Sequence, residues 1–166
     1  MSDGTVAGTQ ALRDRRQGLV DPRFDWLTAV GNAVLFAADD GMVGLEPWQS
    51  DGTVAGTRVA ANVHTSAATQ GAGSAPTFFL PARAATVFDA DDGQRGREPW
   101  RTDGTAAGTV PLGELVPGAG GSRLVALGGS RGEALFASMP GGSLRADYYA
   151  SDGTGAGTRR LATASL

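Results

Sequence analysis

The feature that most constrains this chain is an eight-residue segment that occurs four times, at residues 2–9, 50–57, 102–109 and 151–158. Each copy reads Ser or Thr, Asp, Gly, Thr, two variable residues, Gly and Thr, as in Ser50-Asp51-Gly52-Thr53-Val54-Ala55-Gly56-Thr57. The aspartates Asp3, Asp51, Asp103 and Asp152 follow at intervals of 51 − 3 = 48, 103 − 51 = 52 and 152 − 103 = 49 residues. Self-similarity at such a period marks an architecture assembled from one unit used repeatedly. The fold must therefore be one that about 50 residues can generate and neighbouring copies can complete.

The octet itself reads as a turn. An Asp carboxylate accepts from backbone N–H groups just ahead of it, and the following Gly takes a positive φ without a Cβ clash. The expected structural residues are Asp3, Gly4, Asp51, Gly52, Gly56, Asp103, Gly104, Gly108, Asp152, Gly153 and Gly157. The second glycine of each octet is expected to supply another left-handed position, and the Thr hydroxyls to bond the local backbone. A repeated binding loop is the competing reading.

Between octets the chain offers short apolar runs at strand length. In the first complete unit these are residues 24–30, a Gly31-Asn32 hairpin turn, residues 33–38, a break at Asp39-Asp40-Gly41, residues 46–49, the octet and residues 58–63. The second unit repeats this plan, so that a shift of 88 − 36 = 52 sets Phe88 on Phe36 and Trp100 on Trp48. The third unit is looser: Met139-Pro140-Gly141-Gly142 stands for the Asp-Asp-Gly break and Tyr149 for the Trp. This predicts an all-β single repeat domain over 1–166, in which 1–18 ends an incomplete unit and 19–67, 68–118 and 119–166 are complete ones. The expected architecture is tandem four-stranded antiparallel sheets in a β-propeller-like array, with a stacked β-solenoid as the alternative. Phe36, Trp48, Phe88, Trp100, Phe136 and Tyr149 are expected between sheets. Three units and a surplus strand are too few for a closed ring of typically 4–8 blades. Self-association, or further repeats of a longer parent chain, is expected to complete the array.

Composition narrows the function classes. At 166 residues and 41% hydrophobic the chain has the make-up of an ordinary globular domain. No apolar run approaches membrane-spanning length, and no basic-then-apolar leader precedes the first octet. Zero cysteine removes thiol chemistry and disulfides, and a net charge of −3 gives no reason to expect a nucleic-acid partner.

Candidate chemistry is sparse. Asp39 with Asp40, and Asp91 with Asp92, are paired carboxylates on turns; they would suit Ca²⁺ better than glycoside hydrolysis, since a catalytic pair is normally assembled once. Otherwise no cofactor, metal or catalytic residue is expected. His64 is the single histidine and reads as a loop residue. Glu46, Glu98 and Asp147 precede the aromatic by two positions and are expected to accept bonds from nearby backbone or Arg.

The segment Asp40-Gly41, Gly44 and Glu46 through Thr57 resembles the bacterial repeat family named for its ELWxxDGTxxGT consensus, also labelled hyalin-like. Pro47 and Pro99 stand at the consensus Leu, and Asp147-Tyr148-Tyr149 replaces Glu-Leu-Trp. The octet is also similar to the Asp-box hairpin of sialidase-type propellers, a structural motif. The resemblance implies repetitive β structure and a secreted or surface setting, with no catalytic residues to carry over. The expected function is a non-catalytic scaffold or adhesion module. A lectin-like or Ca²⁺-binding propeller module and a propeller glycoside hydrolase fragment are the alternatives. Buried Trp48 and Trp100 would favour the scaffold, and exposed rings a saccharide partner.

Overall fold

The computed structural model describes residues 4–9, 24–66, 71–141 and 143–165, and among them the chain is all β with no helix. Asp3 and the surplus strand expected after the first octet lie outside the described residues. The first sheet holds β1 (Phe24–Val30), β2 (Ala33–Asp39), β3 (Leu45–Ser50) and β4 (Arg58–Val59). The second holds β5 (Thr77–Pro81), β6 (Thr86–Asp91), β7 (Arg97–Thr102) and β8 (Val110–Pro111). The third holds β9 (Ser122–Ser130), β10 (Glu133–Pro140), β11 (Arg145–Ser151) and β12 (Arg159–Ser165). Each is an antiparallel meander with its strands in chain order, and none closes on itself. The octet joins third strand to fourth in every sheet.

The sheets share a register. Phe36 pairs with Trp48, Phe88 with Trp100 and Phe136 with Tyr149, so each aromatic pair occupies one face of its own sheet. Phe88 and Trp100 pack against Leu35, Ala61 and Val63 of the first sheet and its outgoing chain. Phe136, with Tyr149 at its margin, meets Phe78, Val87 and Leu112 of the second. The aromatic face of each later sheet thus lies on the opposite face of the sheet before it. Burying a large side chain in this way contributes about 1.5–3 kcal/mol.

Phe36 and Trp48 are buried, at 7% and 3% exposure, and what the expected inter-sheet placement would set against them lies outside the described residues. They occupy the corresponding face of the first sheet and cluster with Val34, Ala38 and Val59 of that same sheet. Among the described residues no earlier sheet lies against them.

The fourth strands differ from expectation. The sequence predicts one strand over residues 58–63 and another over their counterparts 110–115, yet β4 and β8 pair over only two residues. The cause is Pro47 and Pro99. The Pro47 carbonyl accepts from Ala60 N–H at 2.8 Å, and that of Pro99 from Leu112 N–H at 2.9 Å. A strand residue directs its N–H and C=O to the same side, so the proline's missing donor faces the fourth strand and ends that ladder. Pairing with the second strand continues unbroken past both prolines. Tyr148 holds this place in the third sheet, and there β12 pairs from Arg159 to Ser165.

Candidate functional site

The recurring polar residues form three sets, each answering a local backbone need. In the octets, Asp51, Asp103 and Asp152 each accept from the backbone N–H of the Thr two residues on, at 2.9, 2.8 and 2.9 Å. All three accept from the same Thr hydroxyl at 2.7 Å. That Thr oxygen accepts from the N–H of Gly56, Gly108 or Gly157. The first and last octet residues join hydroxyl to hydroxyl, as Ser50 with Thr57 at 2.7 Å. The Thr hydroxyl beside each aspartate, then its N–H, holds the carboxyl below the usual range.

The two glycines of the octet serve different purposes. Gly4, Gly52, Gly104 and Gly153 have φ between 87° and 92°, as the Asp-Gly reading requires. Gly56, Gly108 and Gly157 are not left-handed, contrary to expectation. They are needed for space, because a Cβ at any of them would overlap the carboxylate of Asp51, Asp103 or Asp152.

The paired carboxylates serve their own turns. Asp39 and Asp91 accept from Gly41 and Gly93 N–H, while Asp40 and Asp92 accept from Met42 and Gln94 N–H at 2.9 Å. Among the described residues no three His, Cys, Asp or Glu side chains converge as a metal cluster.

The glutamates catch the chain where the prolines release it. Glu46, fully buried, accepts from Val63 N–H at 3.2 Å, His64 N–H at 3.0 Å and the Ser74 hydroxyl. Glu98 accepts from Leu115 N–H at 2.8 Å and Val116 N–H at 2.9 Å. Burial pushes both carboxyls up, against the pull of these bonds. In the third sheet the shorter Asp147 accepts from the Thr163 hydroxyl and lies 3.7 Å from Arg160. The His64 ring sets Nδ1 3.2 Å from the Asp91 carbonyl, on the turn of the next unit.

Two clefts of about 350 and 360 Å³ lie where the first two units meet. One is bordered by Asn62, Asp92, Gln94, Arg95 and Trp100, the other by Asp25, Trp26, Pro76, Thr77 and Arg97. Sequence reasoning passed over two of the residues involved. Asp89 is buried, and burial pushes its carboxyl up although Arg97 stands 2.9 Å away. A carboxylate between Phe88 and Ala90 in an apolar run was the available signal. Trp26 sits on β1 with half its surface exposed, and nothing in its strand-like context distinguished it from a core residue.

Comparison with protein-family models, curated proteins and solved structures finds no match to this chain.

Proposed function

We propose that this chain is a non-catalytic β-repeat scaffold, an interaction module of a secreted or surface protein, with its sheets side by side in a propeller-like array. The observation that carries this reading is the burial of Trp48 and Trp100, at 3% and 9% exposure, together with the backbone bonds made by Glu46 and Glu98 ahead of them. Trp100 packs against the first sheet and Glu46 accepts from Ser74 of the second unit, so the Glu-Pro-Trp segments serve the packing of the repeat and offer little surface to a ligand. The ELWxxDGT resemblance of the octets supports the bacterial, extracellular setting.

The third sheet supports an extension of the scaffold. Leu35 and Val87 hold the same register position in the first two sheets and are buried under the next sheet, at 3% and 0% exposure. Leu135, at that position in the third sheet, is only half-buried. Another sheet of the same plan, from a second copy or from further repeats, is the natural cover. Light scattering over a wide concentration range tests self-association: mass should rise above 16.8 kDa and Leu135→Glu should restore the monomer. A strictly monomeric wild type at every concentration would remove the self-association half of this reading.

A further inference from the structure

The outer face of the third sheet differs from the two faces before it at its centre. Pro47 and Pro99, fully buried, hold the central position in the first two sheets, and Tyr148, half-buried, holds it in the third. Four alanines surround Tyr148. Ala137 and Ala162 pair with it on the neighbouring strands, and Ala146 and Ala150 lie two residues away along β11 on the same face. An aromatic ring thus stands on a floor of small side chains, which Leu135 and Val125 extend across β10 and β9. The charged groups of this face stand at its ends: Glu133, bonded twice to Arg159 at 2.6 and 3.0 Å, at the octet end, and Arg123 at the other.

In the first two units three devices carry the outgoing chain towards the next sheet. Pro47 and Pro99 release the fourth strand, and Glu46 and Glu98 catch the chain beyond it. Gly44 and Gly96 then let the connector backbone at Gly71 and Gly73, and at Ala119 and Gly121, pass closer than a Cβ would allow. The third unit has Tyr148, Asp147 and Arg145 at these positions, counted back from the octet aspartate, as in 152 − 145 = 51 − 44 = 7. Its fourth strand stays in the ladder as far as Ser165, opposite Arg145. The third unit therefore lacks the route by which the other two lay a following sheet on this face.

The same face of a second copy is its complement. About a two-fold axis beside Tyr148, the ring of each copy lies on the alanine floor of the other, and the charged ends fall at the rim, where interfaces are polar. We propose that the outer face of the third sheet pairs with the same face of a second copy in an isologous dimer centred on Tyr148. This rests on the reading of the protein as a self-associating scaffold, and it names the cover. Four strands about 4.8 Å apart and about seven residues long give a face of about 450 Å², so the two copies bury about 900 Å² between them. That is below the size of a standard stable complex, and the dimer should dissociate at about 10–100 μM.

Light scattering should show the mass rising from 16.8 kDa with concentration and levelling at 2 × 16.8 = 33.6 kDa. Tyr148→Lys and Tyr148→Glu should each stay monomeric up to about 1 mM. Mixed in equal amounts they should associate again, because the two-fold axis sets position 148 of one copy beside position 148 of the other, and the recovery shows that both variants fold. Mass that grows past two copies, a Tyr148→Lys protein that still dimerises, or mixed variants that stay monomeric while the wild type dimerises would each overturn the two-fold pairing and leave self-association standing. A wild type that is monomeric at every concentration would overturn both.

Discussion

At the scale of single residues, one carboxylate replaces a web of turn contacts, and its neighbours are chosen to make room for it. The second glycine of the octet shows this: it is required by the Asp103 carboxylate lying over Gly108, with no unusual φ involved. Gly108→Ala should lower stability by about 2 kcal/mol, because the displaced carboxylate loses its bonds to Thr105. In an Asp103→Ala background the same change should cost almost nothing further, a non-additivity that urea unfolding of the four variants measures. The ionisable residues divide by sign. The octet aspartates have folded pKa values below the unfolded value of about 3.9. Their contribution is present above that pH and is lost as pH falls through the folded values. Glu46 and Glu98 are raised above about 4.3. Their contribution is full below that pH and fades as pH rises through the folded values. Urea midpoints should therefore fall on both sides of a maximum near pH 4, apart from other titrating groups. Glu98→Gln should flatten the high-pH side while lowering stability by about 1–3 kcal/mol, since an amide leaves one of two N–H donors unpaired.

At the scale of the element, the octet turns and the first three strands of each unit were legible because their determinants are local: an Asp-Gly pair, alternating apolar residues, a Gly31-Asn32 hairpin. The fourth strands were not, although the prolines that shorten them were in view. Which side of the strand a missing N–H faces depends on register, and sequence does not state register. The chain released by each proline is put to use: Ala61 and Val63 fill the first inter-sheet space, Leu112 and Leu115 the second. The third sheet keeps its fourth strand in the ladder, leaving Leu161 half exposed. Tyr148→Pro should convert it to the plan of the other two. Amide exchange should then show protection lost beyond Ala162 and retained up to it, because the residue 148 carbonyl still accepts as those of Pro47 and Pro99 do, with stability lower by about 1–2 kcal/mol. Unchanged protection beyond Ala162 would show that proline position does not set strand length.

At the scale of the whole molecule, the three sheets are stabilised as a row, each by its own ladder and by the faces it shares with neighbours. The all-β class and the three meanders were legible from strand-length apolar runs and turns that recur with the period. Which residues of a neighbouring sheet cover a given aromatic pair was not, because that depends on what lies beyond the unit, as the packing of Trp100 on Leu35, Ala61 and Val63 demonstrates. The same dependence makes one substitution informative at two sites. Leu35 and Leu135 are the same residue type at the same register position, the first sealed against the second sheet and the second half-buried. Leu35→Ala creates a cavity between two packed faces and should cost about 2–4 kcal/mol. Leu135→Ala removes surface that water already reaches and should cost about 1 kcal/mol in dilute solution. If a second copy covers that face, the cost of Leu135→Ala must grow with protein concentration, since assembly stabilises the folded state by mass action. Denaturant unfolding of both variants at low and high concentration separates the cases. A Leu135→Ala penalty that equals that of Leu35→Ala when the protein is dilute would mean the third sheet is sealed by its own chain, and the open row of sheets would be the wrong picture.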